Sequence, residues 1–124
     1  MTIMKLLTPI SEVHWLSATD TVRDAFDHME THDLRAAPML APDGRYLGTV
    51  TQADLRRSLS KARDRGAALD TPLGELELRS HNEPVTPERD VAAVAAQVAA
   101  HPFVPVVDQR GVLLGVIDRV PHAA

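Results

Sequence analysis

The chain has no cysteine, which excludes a disulfide framework, a thiolate nucleophile and Cys-based metal centres together. Aromatic residues are scarce at 3%, so any core must be assembled from Val, Leu, Ala and Met. No apolar run approaches the roughly 20 residues of a membrane span. Met1–Leu7 is too short for a secretory signal, so a cytoplasmic protein without a membrane partner is expected. Positive charge is also in deficit: 13 Lys and Arg face 17 Asp and Glu, for a net charge of −4. No nucleic-acid partner is expected, because phosphate contacts need clustered cations. One local exception is Arg56, Arg57, Lys61, Arg63 and Arg65, which reads as a solvated helix face or, alternatively, a phosphate or partner patch. Neither a glycine-rich phosphate loop nor a Ser/His/Asp spacing is present, so no catalytic residue is assigned and no enzyme is expected.

What the chain does have is repetition. Ala37-Pro38-Met39-Leu40-Ala41-Pro42-Asp43-Gly44-Arg45-Tyr46-Leu47-Gly48-Thr49-Val50 returns as Val104-Pro105-Val106-Val107-Asp108-Gln109-Arg110-Gly111-Val112-Leu113-Leu114-Gly115-Val116-Ile117. Pro38, Gly44 and Gly48 map to Pro105, Gly111 and Gly115 by a shift of 67, while Val22 and Met29 map to Val91 and Val98 by a shift of 69. The second copy is therefore two residues shorter between helix and strand. A fixed interval of this kind marks two like supersecondary units.

Each copy reads strand, helix, strand, turn, strand. In the first, Val13–Leu16 is a short apolar strand, and Asp20 or Thr19 caps the helix after it. Val22, Ala25, Phe26 and Met29 give that helix one apolar stripe, and it ends near Asp33. Ala36–Leu40 and Tyr46–Val50 form a hairpin about the Pro42-Asp43-Gly44 turn, and Thr51–Leu59 is helical with Thr51 as cap. Residues 61–71 read as a charged linker, after which Thr71-Pro72 opens a short helical turn. The second copy repeats the scheme with Pro84–Thr86, Glu88–Ala100, Val104–Val107 and Val112–Ile117, then stops before a full closing helix.

The proline-led hairpins and the run Gly48-Thr49-Val50-Thr51-Gln52-Ala53-Asp54 resemble the tandem cystathionine-β-synthase (CBS) domain pair, or Bateman module, and most of all its small stand-alone bacterial type. The resemblance implies an α/β (α+β) fold of two pseudo-symmetric β-α-β-β-α repeats packed as one module. Residues 1–60 would be the first repeat, 61–71 the linker and 72–124 the second repeat with a truncated final helix. It also implies a regulatory function: an adenine nucleotide (AMP, ADP or ATP), a related adenosyl ligand or a cyclic dinucleotide is bound as effector in the cleft between repeats. A homodimer and an unidentified downstream protein complete the expected partners.

The residues at the first site suit such a ligand. Thr51 at a helix start stands beside backbone amides and a dipole that favour phosphate. Asp54, one turn on, can accept from ribose hydroxyls, and Arg35 can donate to phosphate. Small Ala36 and Ala37 leave room for a base framed by the backbone of Ala37 and Thr49. Thr51 as a simple cap and Asp54 as a first-turn carboxylate is the plainer alternative. In the second copy Asp118 replaces Thr51 and Pro121 replaces Asp54, so one good site is expected rather than two. Arg119 is read as a solvated arginine, and Phe103 as core or as a surface for base stacking. Pro102 and Phe103 stand where some relatives carry basic residues, which argues against a triphosphate.

Two rival readings remain open. One is a ligand-free dimerisation or scaffold module, with Val22, Phe26, Met29 and Val91, Val94, Val98 serving core, interface or both. The other is a metal protein. His28 and His32 are four apart on a helix, but no further ligand is evident in the sequence, so no metal is assigned.

Overall fold

The computed structural model of the chain describes residues 1–80 and 82–118. The chain forms two compact units, Met1–Val13 with Asn82–Ala124, and His14–His81. Each has a three-stranded sheet flanked by helix, so the mixed α/β architecture expected from the repeat is present in both. The boundaries of the units differ from those of the repeats, because the first thirteen residues belong with the second half of the chain.

The His14–His81 unit contains β2 (Leu16–Ser17), α1 (Val22–Thr31), β3 (Ala36–Leu40), β4 (Tyr46–Thr51), α2 (Gln52–Lys61) and α3 (Arg65–Leu69). β2 pairs parallel with β3, and β3 pairs antiparallel with β4. Val22, Ala25 and Met29 of α1 are fully buried against Leu16, Val50 and Leu55, at roughly 1.5–3 kcal/mol for a completely buried Val or Met side chain.

Three local expectations need correction. The cap of α1 is Thr21, not Asp20 or Thr19: the Asp24 amide donates to Thr21 Oγ1 at 3.2 Å and the Thr21 amide donates to Asp24 Oδ2 at 3.1 Å. Asp20 and Thr19 are engaged one turn earlier, where Asp20 Oδ2 accepts from the Ser17 amide at 2.9 Å and the Thr19 hydroxyl meets that of Ser17 at 2.8 Å. The Thr21 amide, and then its hydroxyl, holds the Asp24 carboxyl below its ordinary range. The strand expected at 13–16 is only Leu16–Ser17, because Val13 closes a 3₁₀ turn over Ile10–Glu12. Within the expected linker, Asp64 accepts from the Ala67 amide at 3.2 Å and caps α3, whose Ala68 is buried.

The other unit contains β1 (Thr8–Pro9), α4 (Val91–Ala100), β5 (Val104–Val107) and β6 (Leu113–Ile117), in the sheet order β1-β6-β5. The helix starts at Val91 rather than Glu88, since Asp90 accepts from the Ala92 amide at 3.1 Å and so is the cap.

The two hairpins are superimposable in register. Ala37↔Val50, Pro38↔Thr49 and Met39↔Gly48 correspond to Val104↔Ile117, Pro105↔Val116 and Val106↔Gly115. Each has a register shift at the same place, Met39/Leu40 and Val106/Val107. The turn glycines Gly44 and Gly111 have φ of 90° and 83°, a conformation that glycine adopts without strain. The parallel partner repeats as well: Leu16 lies against Met39, and Val85 against Val106.

A third duplicated piece was not visible in the sequence. The Val22 amide donates to the Thr71 carbonyl at 3.0 Å, and the Val91 amide donates to the Met1 carbonyl at 3.0 Å. A 3₁₀ turn follows in each case, Leu73–Glu75 and Ile3–Leu6, and it fully buries Leu73 or Ile3. Next, Leu78 lies over Gly48 and Leu7 over Gly115. Thus the segment leading into each repeat docks on the helix cap and hairpin of the other. Among the described residues no helix is long and apolar enough to cross a membrane.

Candidate functional site

β3 begins, β4 ends and α2 starts at one end of the His14–His81 sheet. The register Ala36↔Thr51 places the two strand ends side by side, and the Gln52 amide donates to the Arg35 carbonyl at 3.1 Å. Arg35, Thr51 and Asp54 therefore gather around the α2 N-terminus. Arg35 is exposed, Thr51 half-buried and Asp54 only 4% exposed. Ala37 and Thr49 lie deeper in the strands and are both buried, with the Thr49 hydroxyl 2.7 Å from that of Tyr46.

Thr51 and Asp54 form a capping box. Thr51 Oγ1 accepts from the Asp54 amide at 3.1 Å, and Asp54 Oδ2 accepts from the Thr51 amide at 3.0 Å and the Thr51 hydroxyl at 2.9 Å. The other carboxylate oxygen accepts from the Arg57 guanidinium and, at 3.4 Å, from the Arg79 amide. A carboxylate offers about four acceptor positions, and all are engaged here. Two amides at this helix start are engaged too, that of Gln52 by Arg35 and that of Asp54 by Thr51.

Arg57 and Arg79 are the residues that sequence reasoning missed. The Asp54–Arg57 spacing of three was a legible signal for a same-face ion pair. Arg79 left none, because its contact depends on how the segment after Pro72 docks. Of the basic group noted in the sequence, only Arg57 is turned partly inward, while Arg56, Lys61, Arg63 and Arg65 are exposed. Below Asp54, a recess of about 160 Å³ is lined by Arg57, Ser58 and Lys61 of α2 and by Glu75, Leu76 and Glu77. That is below the ~300–1,000 Å³ typical of small-molecule pockets.

The matching position in the other unit differs. Asp118 follows β6 and is exposed, whereas Arg119, Pro121 and the expected truncated helix lie outside the described residues. Phe103 is buried, and its carbonyl accepts from the Asn82 side-chain amide at 2.9 Å.

The site lies within a sequence match. Residues 5–61 match the family model described as CBS domain. The fold resembles CbpB solved in complex with c-di-AMP, at 19% identity and a TM-score of 0.87 over 96% of this chain and 79% of that one. It also resembles CBSX2 in complex with AMP, at 21% identity and a TM-score of 0.77 over 95% and 90%. A third similar structure is the CBS domains of a transcriptional regulator from Streptococcus pneumoniae, at 27% identity and a TM-score of 0.76 over 96% and 93%. Comparison with curated proteins gives no significant match. With the family's signature in residues 5–61 and a duplicated frame that carries the same hairpin register in both units, the chain is a tandem CBS-domain protein.

Proposed function

We propose that the protein is a regulatory module that senses an adenosine nucleotide at the α2 N-terminus of the His14–His81 unit. The observation that carries this reading is the gathering of Arg35, Thr51 and Asp54 at one sheet end, in a fold similar to proteins solved with AMP and with c-di-AMP. Arg35 donates to phosphate, Thr51 offers its hydroxyl, Asp54 accepts from ribose, and the backbone at Ala37 and Thr49 frames the base. Asp54 has no acceptor position to spare, so ribose takes the place of its weakest partner, the Arg79 amide at 3.4 Å. Binding at Asp54 thereby loosens the Leu76–Arg79 segment, which gives the module a way to report occupancy.

Calorimetry with AMP, ADP, ATP and c-di-AMP tests the reading. Arg35→Ala, an exposed substitution, and Asp54→Ala should each weaken binding, the latter by about 1–3 kcal/mol for a lost buried polar partner. Asp118→Ala should leave affinity unchanged. No binding of any of these ligands by the parent protein would defeat the proposal.

A second reading, a ligand-free dimerisation module, is favoured by α4, whose exposed face is Ala92, Ala93, Ala96, Ala99 and Ala100. Small side chains let two helices approach closely. Sedimentation should then give a homodimer that Ala96→Glu dissociates, and a monomeric parent protein would exclude this reading.

A further inference from the structure

The fold supplies what the sequence withholds from His28 and His32, a third imidazole. His28 stands in the last turn of α1 and His32 is its C-cap, while His14 comes from the segment just before β2. One ring nitrogen of each lies within 4.8 Å of the others. The rings of His14 and His32 stack at 3.9 Å, and the His28 ring stands edge-on to His32 at 4.7 Å and to His14 at 5.7 Å. His28 Nε2 is sealed from solvent with no hydrogen-bond partner. An unpartnered buried nitrogen costs about 1–3 kcal/mol, which a bound cation at that atom would relieve.

We propose that His14, His28 and His32 hold a divalent transition-metal ion, zinc the best fit, through one nitrogen each, with a fourth position open to water or to a ligand from outside the chain. Imidazole suits zinc, copper and nickel, and excludes the hard cations that need oxygen ligands. Three protein ligands and one open position is a familiar zinc arrangement. Tetrahedral Zn–N bonds of ~2.0–2.1 Å put ligand nitrogens about 3.3 Å apart, so the cluster must close by roughly an ångström or more at its widest. His14 and His32 are exposed and can turn without repacking the core, which also unstacks their rings. Charge favours the ion as well. The C-terminal end of a helix carries partial negative charge, and Asp20 exerts a favourable field at His28. Bound metal would tie the chain before β2 to the end of α1.

The single tryptophan, Trp15, adjoins His14 in the chain and is 45% exposed, so it reports on the site directly. Untagged protein is titrated with Zn²⁺ by calorimetry and with Cu²⁺ by Trp15 fluorescence. The expected result is one Zn²⁺ per chain, quenching by Cu²⁺, and a rise in melting temperature with Zn²⁺ that chelator reverses. His14→Ala and His32→Ala, both surface changes, should each weaken Zn²⁺ binding at least about tenfold, or ~1.4 kcal/mol. His101→Ala should not. No uptake of Zn²⁺ by the parent protein, or equal uptake by the His14→Ala/His32→Ala double variant, overturns the proposal and leaves a stack of surface imidazoles.

Discussion

The two units share a frame and differ in what they hang on it. β3–β4 and β5–β6 agree in pairing, in the place of the register shift and in the φ of the turn glycine. Their helices do not agree. α1 is a polar helix with one buried stripe and a capping box, whereas α4 is built almost wholly of alanine and valine. The helix starts after the hairpins differ too, with a Thr51–Asp54 box in one and Asp118 in the other. What was kept is what packing and backbone geometry constrain, namely the hairpin, its two glycines and the docked segment ahead of each repeat. What diverged is exposed chemistry, which the frame does not need. This is the pattern expected if a duplicated scaffold retains one working site.

The reciprocal docking of the leading segments is the strongest claim in this comparison, and its test carries the largest expected effect. Ile3 and Leu73 are each fully buried, in the separate cores of the two units. Either residue changed to Ala should cost about 2–5 kcal/mol in denaturant unfolding. Hydrogen exchange distinguishes them: Ile3→Ala should expose the amides of α4, β5 and β6, and Leu73→Ala those of α1, β3 and β4. Exposure that follows chain order instead, with Ile3→Ala loosening α1, would break the picture.

A second comparison concerns the glycine under each docked leucine. A Cβ at Gly115 would run into the backbone carbonyl of Thr8, which is fixed by strand pairing of Thr8 with Val116. A Cβ at Gly48 would meet only Leu78 Cδ1, at 2.8 Å, the far end of a side chain that can turn away. Gly115→Ala should therefore cost about 1–3 kcal/mol, as for an overpacked core, and Gly48→Ala clearly less. Urea midpoints measure both, and equal losses would show that the two leading segments are held alike.

Much of this was legible in the sequence for a definite physical reason. The strands β3, β5 and β6 came within a residue of their observed bounds, because proline and glycine punctuate the hairpins at a fixed interval. The gathering of Thr51 and Asp54 followed from a helix start with a carboxylate one turn on, but the full engagement of Asp54 did not, since Arg79 reaches it across 25 residues. The docking of Met1–Leu7 beside α4 was hidden likewise, because a short irregular segment has no periodicity to mark its partner. The cap of α1 was misplaced because Thr19, Asp20 and Thr21 are all competent caps, and only the turn closed by Ser17 decides among them. His14 lies outside any helix, so no spacing rule could join it to His28 and His32.

The smallest effect tests why the two copies differ by two residues between helix and strand. α1 ends in a Schellman motif: the Leu34 amide donates to the Met29 carbonyl at 2.8 Å, the Asp33 amide donates to the Glu30 carbonyl at 3.3 Å, and Asp33 itself has φ of 52°. α4 has no such turn. His101 is extended, with φ of −133° and ψ of 157°, as suits a residue that precedes proline. Left-handed backbone costs an ordinary L-residue about 1–2 kcal/mol, and an aspartate somewhat less because its side chain can bond locally. Glycine removes that penalty and gives some of the gain back through the freedom of the unfolded chain. Asp33→Gly should therefore stabilise the protein by roughly 0.5–1 kcal/mol. His101→Gly, at an extended position with no strain to relieve, should destabilise it by roughly 0.5–1 kcal/mol. Opposite shifts in melting temperature would tie the two-residue difference to the Schellman turn, and shifts of the same sign would mean that something other than helix termination sets the two connections apart.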